Sequence, residues 1–419
     1  MEDDSIIDRS GVFISLSVKV PRAIVGKVRW MNCKWKKEIG VIVVNVLANK
    51  GKNIFYSRSK SQSVLPKKYN PKQLSVYGII KALEFLEKEG YIVNNISPRD
   101  YGYYDHEAIS SSFVATDLLM NMFSTGSNAI DSKKTIVVDT QRVVLKDKDK
   151  NMVDYKECDV TRYTRDSLTT YNQYIADQHI TYSDKDNIVH EANCCLTRIF
   201  NQEIGFTGRL YRSEIQNIKS CYRQSIMING VSAVEIDYSA LHLRMLIDMY
   251  LCTDKVPYGV DAYLLPLTQE EQMIDANREA VKRAFNILLN NSKRHIACSA
   301  IQQYLNLKNR ECTIRSGSVL LSKIEEAYSF LPLQVILWQS KPLAYKLQNL
   351  DSEIALEIIS AGVEDDVVVL PIHDSFIVQT THKNWLQEIM GNMYRKYLRT
   401  EGMVPVTVTI DGKDYKELA

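Results

Sequence analysis

The chain has no CxxC pair, no run of about 18 apolar residues and almost no net charge. Its eight cysteines are scattered, and the adjacent Cys194 and Cys195 cannot easily serve as a framework. A disulfide scaffold is therefore not expected, nor is a zinc site, and a reduced, cytoplasmic protein is the plain expectation. Without a long apolar run, no membrane partner is expected. The first ten residues, MEDDSIIDRS, are acidic and lack the basic region of a signal peptide. Fifty-two Lys and Arg against fifty Asp and Glu leave a formal charge of +2, so any nucleic-acid binding has to come from local basic patches. No internal repeat or long low-complexity segment is present, which excludes a solenoid. What is present, 45% hydrophobic and 24% charged residues over 419 positions, suits two or three globular domains with real cores.

Two acids stand out against apolar surroundings. Val231 to Asp237 reads as a short buried strand that ends on a carboxylate, and a buried unpaired charge is costly. Taken alone, Asp237 is equally well a cap for the helical spacing that runs from Ser239 to Met249. A second acid breaks the tie. Val367 to Val378, VVVLPIHDSFIV, reads as a β-hairpin with Asp374 at its tip. The two acids lie 374 − 237 = 137 positions apart, so only a fold can unite them. United, they would offer hard carboxylate oxygens to divalent cations. Between them, Arg278, Lys282 and Asn286 share one helical face, and Asn290 follows four residues on. Such a face suits a triphosphate, although a charged helix face is by itself usually only solvated.

Taken in order, these stretches resemble the core of family A (DNA polymerase I-like) polymerases, with a more distant similarity to single-subunit phage-type RNA polymerases. Thr207-Gly208-Arg209-Leu210 and Ile215-Gln216-Asn217-Ile218 resemble the stretch that precedes the family's first catalytic motif. Asp237-Tyr238-Ser239, with Leu241, Leu243 and Arg244, resembles motif A; Arg278 and Lys282 resemble motif B; His373-Asp374 resembles motif C. Val404 to Val408 and Gly412 to Tyr415 resemble the closing strand. The resemblance covers roughly the last half of the chain.

It implies an α+β fold with a right-hand palm and fingers and an antiparallel palm sheet with helices; the N-terminal α+β region, which the resemblance does not reach, holds a candidate winged helix by its own pattern. The expected divisions are 1–130, a connecting, reduced thumb-like helical region at 131–205, and palm and fingers at 206–419, with fingers at about 265–335. It implies a DNA-directed DNA polymerase, a nucleotidyltransferase of phage or mobile-element type without a proofreading exonuclease. Two Mg²⁺ or Mn²⁺ ions would be held by Asp237, Asp374 and the carbonyl of Tyr238. The incoming nucleotide would meet Tyr238, His242, Arg278, Lys282, Asn286 and Asn290; the DNA primer-template would meet Arg209, Gln216, Asn217 and His373. RNA or single-stranded DNA are alternative partners. A primase or small RNA polymerase, an end-extending enzyme without a template, and a winged-helix initiator with a silent core remain as alternative functions.

Departures from the pattern concern sugar and template selection. His242 occupies the place of the motif A glutamate, and Asn286, Asn290 and Asn291 occupy the aromatic and Tyr-Gly places of motif B. Phe285 is a candidate replacement for the missing stacking surface, and Ser375 follows Asp374 where the family has a glutamate. Without its usual tyrosine support, His242 is expected to be loosely held.

The N-terminal half is read from pattern alone. Residues 11–20 read as a strand. Lys27 to Lys37 interleaves cations with Trp30 and Trp35, which suits a nucleic-acid backbone with stacked bases or, equally, one face of a strand. Ser75 to Glu89 is a helix capped by Ser75 and closed by Gly90, followed by a strand from Tyr91, with Lys60, Lys67, Lys68 and Lys72 leading in. A short helix is expected over Ala115 to Phe123, a strand pair over Thr135 to Leu145 before a charged turn, and helices over Ser167 to Asp177 and Ile188 to Phe200.

Overall fold

The computed structural model describes residues 11–14, 16, 18, 20–49, 53–56, 58, 65–96, 111–124, 141–309, 311–337, 342–400, 404–410 and 413–419. Lys60, Gly412 and the expected strand over 135–140 lie outside these residues. The chain divides into two compact units. The first comprises Met1–Glu157, Cys195–Thr197 and Arg212–Asn217; the second comprises Cys158–Cys194, Arg198–Tyr211 and Ile218–Ala419. No helix among the described residues is long and apolar enough to cross a membrane.

Among the described residues of the first unit a four-stranded sheet takes the order Gly11–Phe13, Asn53–Tyr56, Ser111–Ala115, Ile92–Asn95, with the first pair parallel and the others antiparallel. Its core is built around the helix Lys36–Ala48, buried at every position from Ile39 to Leu47. A helix apolar all round can only sit inside a core. The polar residue within that stretch, Asn45, is satisfied by donating to the Val41 carbonyl at 2.8 Å. The helix expected from Ser75 spans Val76–Lys88; the Ser75 hydroxyl accepts the Gly78 N–H at 2.9 Å, and Gly90 follows at φ +74°. A helix at Asp117–Ser124 matches the expectation from Ala115. The charged turn also forms: Asp147 accepts the N–H groups of Asp149 and Asn151 between strands Val143–Lys146 and Met152–Val153.

Two expectations are corrected. Lys27 to Lys37 is not a strand but the end of helix Arg22–Arg29, a turn, and the start of Lys36–Ala48. Alternating Trp and Lys imitated a period of two, but Ile24, Val28 and Met31 are the buried set, and their spacing is helical. Ile188 to Phe200 is not a helix either. It holds strands Val189–Glu191 and Thr197–Asn201, in keeping with their β-branched residues. Of the expected helical connection, Asp159–Ala176 forms, longer than predicted.

The second unit is a mixed α+β body on an eight-stranded sheet among the described residues. Its middle strand, Val231–Tyr238, pairs antiparallel with Ser375–Gln379 on one side and Pro405–Ile410 on the other. The sequence of this strand alternates. Val234, Ile236 and Tyr238 are buried on one face, which leaves Glu235 and Asp237 together on the other. Burying an Ile or Phe side chain such as Ile236 or Phe376 is worth about 1.5–3 kcal/mol, so this face fixes the register. The stretch from Gln269 to Ile336 is helical, with Asp275–Leu289 its longest helix. The long helix Leu343–Glu364 packs on strand Thr207–Tyr211 and on helices Asp159–Ala176, Leu241–Met249 and Lys383–Leu398.

Candidate active site

The register of the middle strand places Asp237 opposite Ser375, the residue after Asp374. Asp374 and His373 form the turn between strands Leu370–Ile372 and Ser375–Gln379, with His373 at φ +58°, and the Tyr238 N–H donates to the Asp374 carbonyl at 3.3 Å. The two acids thus meet at one end of adjacent strands. Burial first, then the charges of Asp374 and Glu235, push the Asp237 carboxyl well above the usual carboxylate range; Lys282 and Arg223 pull it back only in part. Glu235 is otherwise engaged: Arg223 Nη1 and the Ser375 hydroxyl both donate to its Oε1 at 2.7 Å. Sequence reasoning passed over Glu235, although a period of two puts it beside Asp237.

Lys282 and Arg278 lie on helix Asp275–Leu289, one turn apart. The Lys282 ammonium is half exposed, 3.9 Å from Glu279, and its charge reaches Asp237. Arg278 is held: its Nε donates to Asp261 Oδ2 at 2.7 Å and its guanidinium lies 5.7 Å from the centre of the Tyr263 ring. Lys416 shares the same carboxylate at 3.3 Å. Although burial acts to raise it, the hydrogen bond and charge of Arg278 keep Asp261 below the usual carboxylate range. Burial, opposed by Arg278 and joined by the charges of Asp374, Asp261 and Asp237, lifts the Tyr263 phenol far above its ordinary value. Asp261 and Tyr263 therefore border the site, and no motif had drawn attention to them.

A second cluster surrounds Asp351, on the long helix. One oxygen, Oδ2, accepts from Arg209 Nη2 at 2.6 Å and Nε at 3.2 Å, and lies 2.8 Å from His242 Nε2. The other accepts the Ser352 hydroxyl at 3.0 Å. Burial acts to raise Asp351, but the His242 hydrogen bond and the Arg209 charge outweigh it and hold the carboxyl below its usual range. His242, expected to be loose, is thus pinned from a helix that sequence spacing had not connected to it. A signal was present. Asp351 sits between buried Leu347 and Ile354 on the apolar stripe, where an acid needs a partner. Arg209 is presented by a tight backbone: Gly208 has φ +81°, and a Cβ there would come within 2.6 Å of the Phe200 ring.

His373 lies edge-on to Tyr211 at 5.5 Å, and its buried Nδ1 has no hydrogen-bond partner. Burial, then the Arg209 charge, lowers its pKa and keeps the ring neutral. The Tyr238 phenol is in the core, donating to the Met390 carbonyl at 2.6 Å, so only its backbone remains for a ligand. Asn290 caps its own helix, donating to the Asn286 carbonyl at 2.9 Å; Asn286 is half-buried. Phe285 is fully buried against Tyr328 and offers no stacking surface, because it falls on the core side of its helix. Arg244 is buried and donates to the carbonyls of Val256, Pro257 and Val260, a structural role. Gln216 and Asn217 lie on the turn Glu214–Asn217, which belongs to the first unit.

No protein-family model matches the chain, and no curated protein matches it. Among solved structures it has a distant likeness to the POL domain of Pol1 from M. smegmatis, complexed with DNA primer-template and dNTP. The two are 13% identical with a TM-score of 0.35, and the match covers 60% of this chain and 50% of that chain.

Proposed function

We propose that the second unit is a divalent-metal-dependent nucleotidyltransferase that extends a primed strand from nucleoside triphosphates, a template-directed DNA polymerase of the family A kind. The observation that carries this reading is the pairing of Val231–Tyr238 with Ser375–Gln379, which joins two sequence-distant acids within reach of the Lys282 charge. The order of the resembling motifs along the chain supports it.

The donor set fits Mg²⁺ or Mn²⁺. Asp237 and Asp374 are hard oxygen donors, and the carboxyl of Asp237 is driven up by burial and by neighbouring acids, a conflict that a cation relieves. No three ligating side chains converge among the described residues, so substrate phosphate and water would complete the shell. Asp237, Asp374 and the Tyr238 carbonyl would hold two ions, which when bound activate the primer hydroxyl and stabilise the leaving pyrophosphate. Lys282 and Arg278 neutralise the triphosphate, Lys282 as a mobile point charge and Arg278 as a fork kept in place by Asp261. Arg209 and neutral His373 belong to the primer end. His242, fixed by Asp351, faces the choice of sugar. Asn286, Asn290, Gln216 and Asn217 keep their nucleotide and DNA assignments from the motifs alone.

Primer extension on a templated duplex with Mg²⁺ tests the reading. The wild-type chain should add dNTPs, and Asp237→Asn or Asp374→Asn should lower the rate by about two to four decades. Variants within a few-fold of wild type would remove the acids from the mechanism. A wild type inert with dNTPs and NTPs, in Mg²⁺ and in Mn²⁺, would remove the function.

A further inference from the structure

We propose that the turn joining helices Arg22–Arg29 and Lys36–Ala48 is a binding site for single-stranded nucleic acid, with Trp30 as its stacking platform. This inference concerns the first unit and does not depend on the polymerase reading.

Trp30 is 90% exposed at the end of the first helix. An indole left in water forgoes a large burial gain, so a ring open to this degree is available to a flat partner. Its surroundings are of one sign. From position 22 to 37 the chain has six cations and no acid. Lys36 Nζ donates to the Arg29 carbonyl at 2.8 Å, which folds the start of the second helix back on the end of the first. Lys34 lies 4.9 Å from the centre of the Trp35 ring, and Trp35 meets Tyr77 edge-on at 5.7 Å, with Tyr77 62% exposed. Rings and cations therefore alternate across one turn.

Three other lysines of this unit are engaged elsewhere. Lys68 donates to the Tyr155 carbonyl and pairs with Asp154 and Glu157, Lys72 donates to the Val18 carbonyl, and Lys81 pairs with Glu84. Of the cations in the turn segment, Lys27 donates to the Met122 carbonyl at 2.6 Å, whereas Arg22, Arg29, Lys34, Lys36 and Lys37 are exposed. Polyanion binding with stacking on open rings is the chemistry of single-strand recognition, since a duplex keeps the faces of its bases covered. A bilayer surface is the poorer fit. The outward face of the first helix carries Arg22, Val25, Gly26 and Arg29, too little apolar area to enter lipid.

The test titrates the full chain, followed by intrinsic tryptophan fluorescence, with four probes: a dT oligonucleotide, a duplex of equal length, heparin and phosphatidylserine vesicles. The oligonucleotide should quench most and bind most tightly. Trp30→Ala should lose most of that quench and bind about tenfold or more weakly, whereas Trp30→Phe should keep most of the affinity. Raising salt should weaken binding with a log–log slope near −2 for about three phosphates contacted. Unchanged affinity in Trp30→Ala would overturn the proposal. So would equal binding of heparin, or quenching by vesicles without quenching by the oligonucleotide. An unchanged melting curve for Trp30→Ala verifies that an exposed side chain, not the fold, was removed.

Discussion

Asp237 and Asp351 are two carboxylates of the same unit, and each is subject to a burial penalty, yet they end at opposite extremes. Asp351 is met by an arginine, a histidine and a hydroxyl, and its pKa falls. Asp237 meets the charges of two other acids, which one lysine and one arginine offset only in part, and its pKa rises. A purely structural acid is expected to look like the first, because burying an uncompensated charge costs several kcal/mol. In the second pattern burial and neighbouring acids disfavour the ionised form, a conflict that a bound cation would relieve under the proposed function. The comparison separates a clamp from a candidate cation site without reference to any relative.

The largest effect that sharpens this contrast is a crossed one. Asp237→Asn should slow nucleotide incorporation by about two to four decades while leaving the urea midpoint unchanged or higher, since it removes a repelled charge. Asp351→Ala should do the reverse to stability, costing about 3–5 kcal/mol by stranding Arg209 and His242. Similar midpoints for both variants would break the distinction.

The pH dependence of stability should separate them as well. Asp351 has a folded pKa below its unfolded value, so its contribution is complete above the unfolded pKa and is lost as pH falls through the folded one. Asp237 has a folded pKa above its unfolded value, so without metal its ionisation penalises the fold increasingly as pH rises between the two. Asp237→Asn should remove that decline at rising pH, and Asp351→Asn should remove the acid-side loss. Urea titrations across the acid range read both, and parallel profiles for the two variants would refute the assignment.

A smaller effect is expected at Lys282. Its charge partly offsets the acids, so Lys282→Ala should lower kcat/KM for the nucleotide by about one to two decades. Unchanged nucleotide kinetics would return this helix face to solvent.

The smallest expected effect concerns sugar. His242 Nε2 lies 2.8 Å from the Asp351 carboxylate, and this contact fixes the orientation of the ring. Under the proposed function a pinned imidazole beside the sugar should favour dNTPs by about one to two decades. His242→Ala should narrow that ratio, measured as kcat/KM for dNTP over NTP. If the wild type prefers NTPs and the variant loses the preference, His242 reads a hydroxyl and the product is RNA.

Local pattern by itself determined much of this protein. The strand ending at Asp237, the hairpin carrying Asp374, the helix with Arg278 and Lys282, and the Ser75-capped helix all follow from short-range spacing, apolar alternation and turn chemistry. Local pattern failed where two periods were superimposed, as at Lys27 to Lys37, where alternating Trp and Lys hid the buried helical set of Ile24, Val28 and Met31. Only the tertiary structure decided that Asp351 would join Arg209 to His242, that Asp261 would hold Arg278, and that Phe285 would turn into the core. Charge partners drawn from separate elements depend on how helices pack across a sheet. That packing is set by the sum of many buried contacts, which no window of sequence contains.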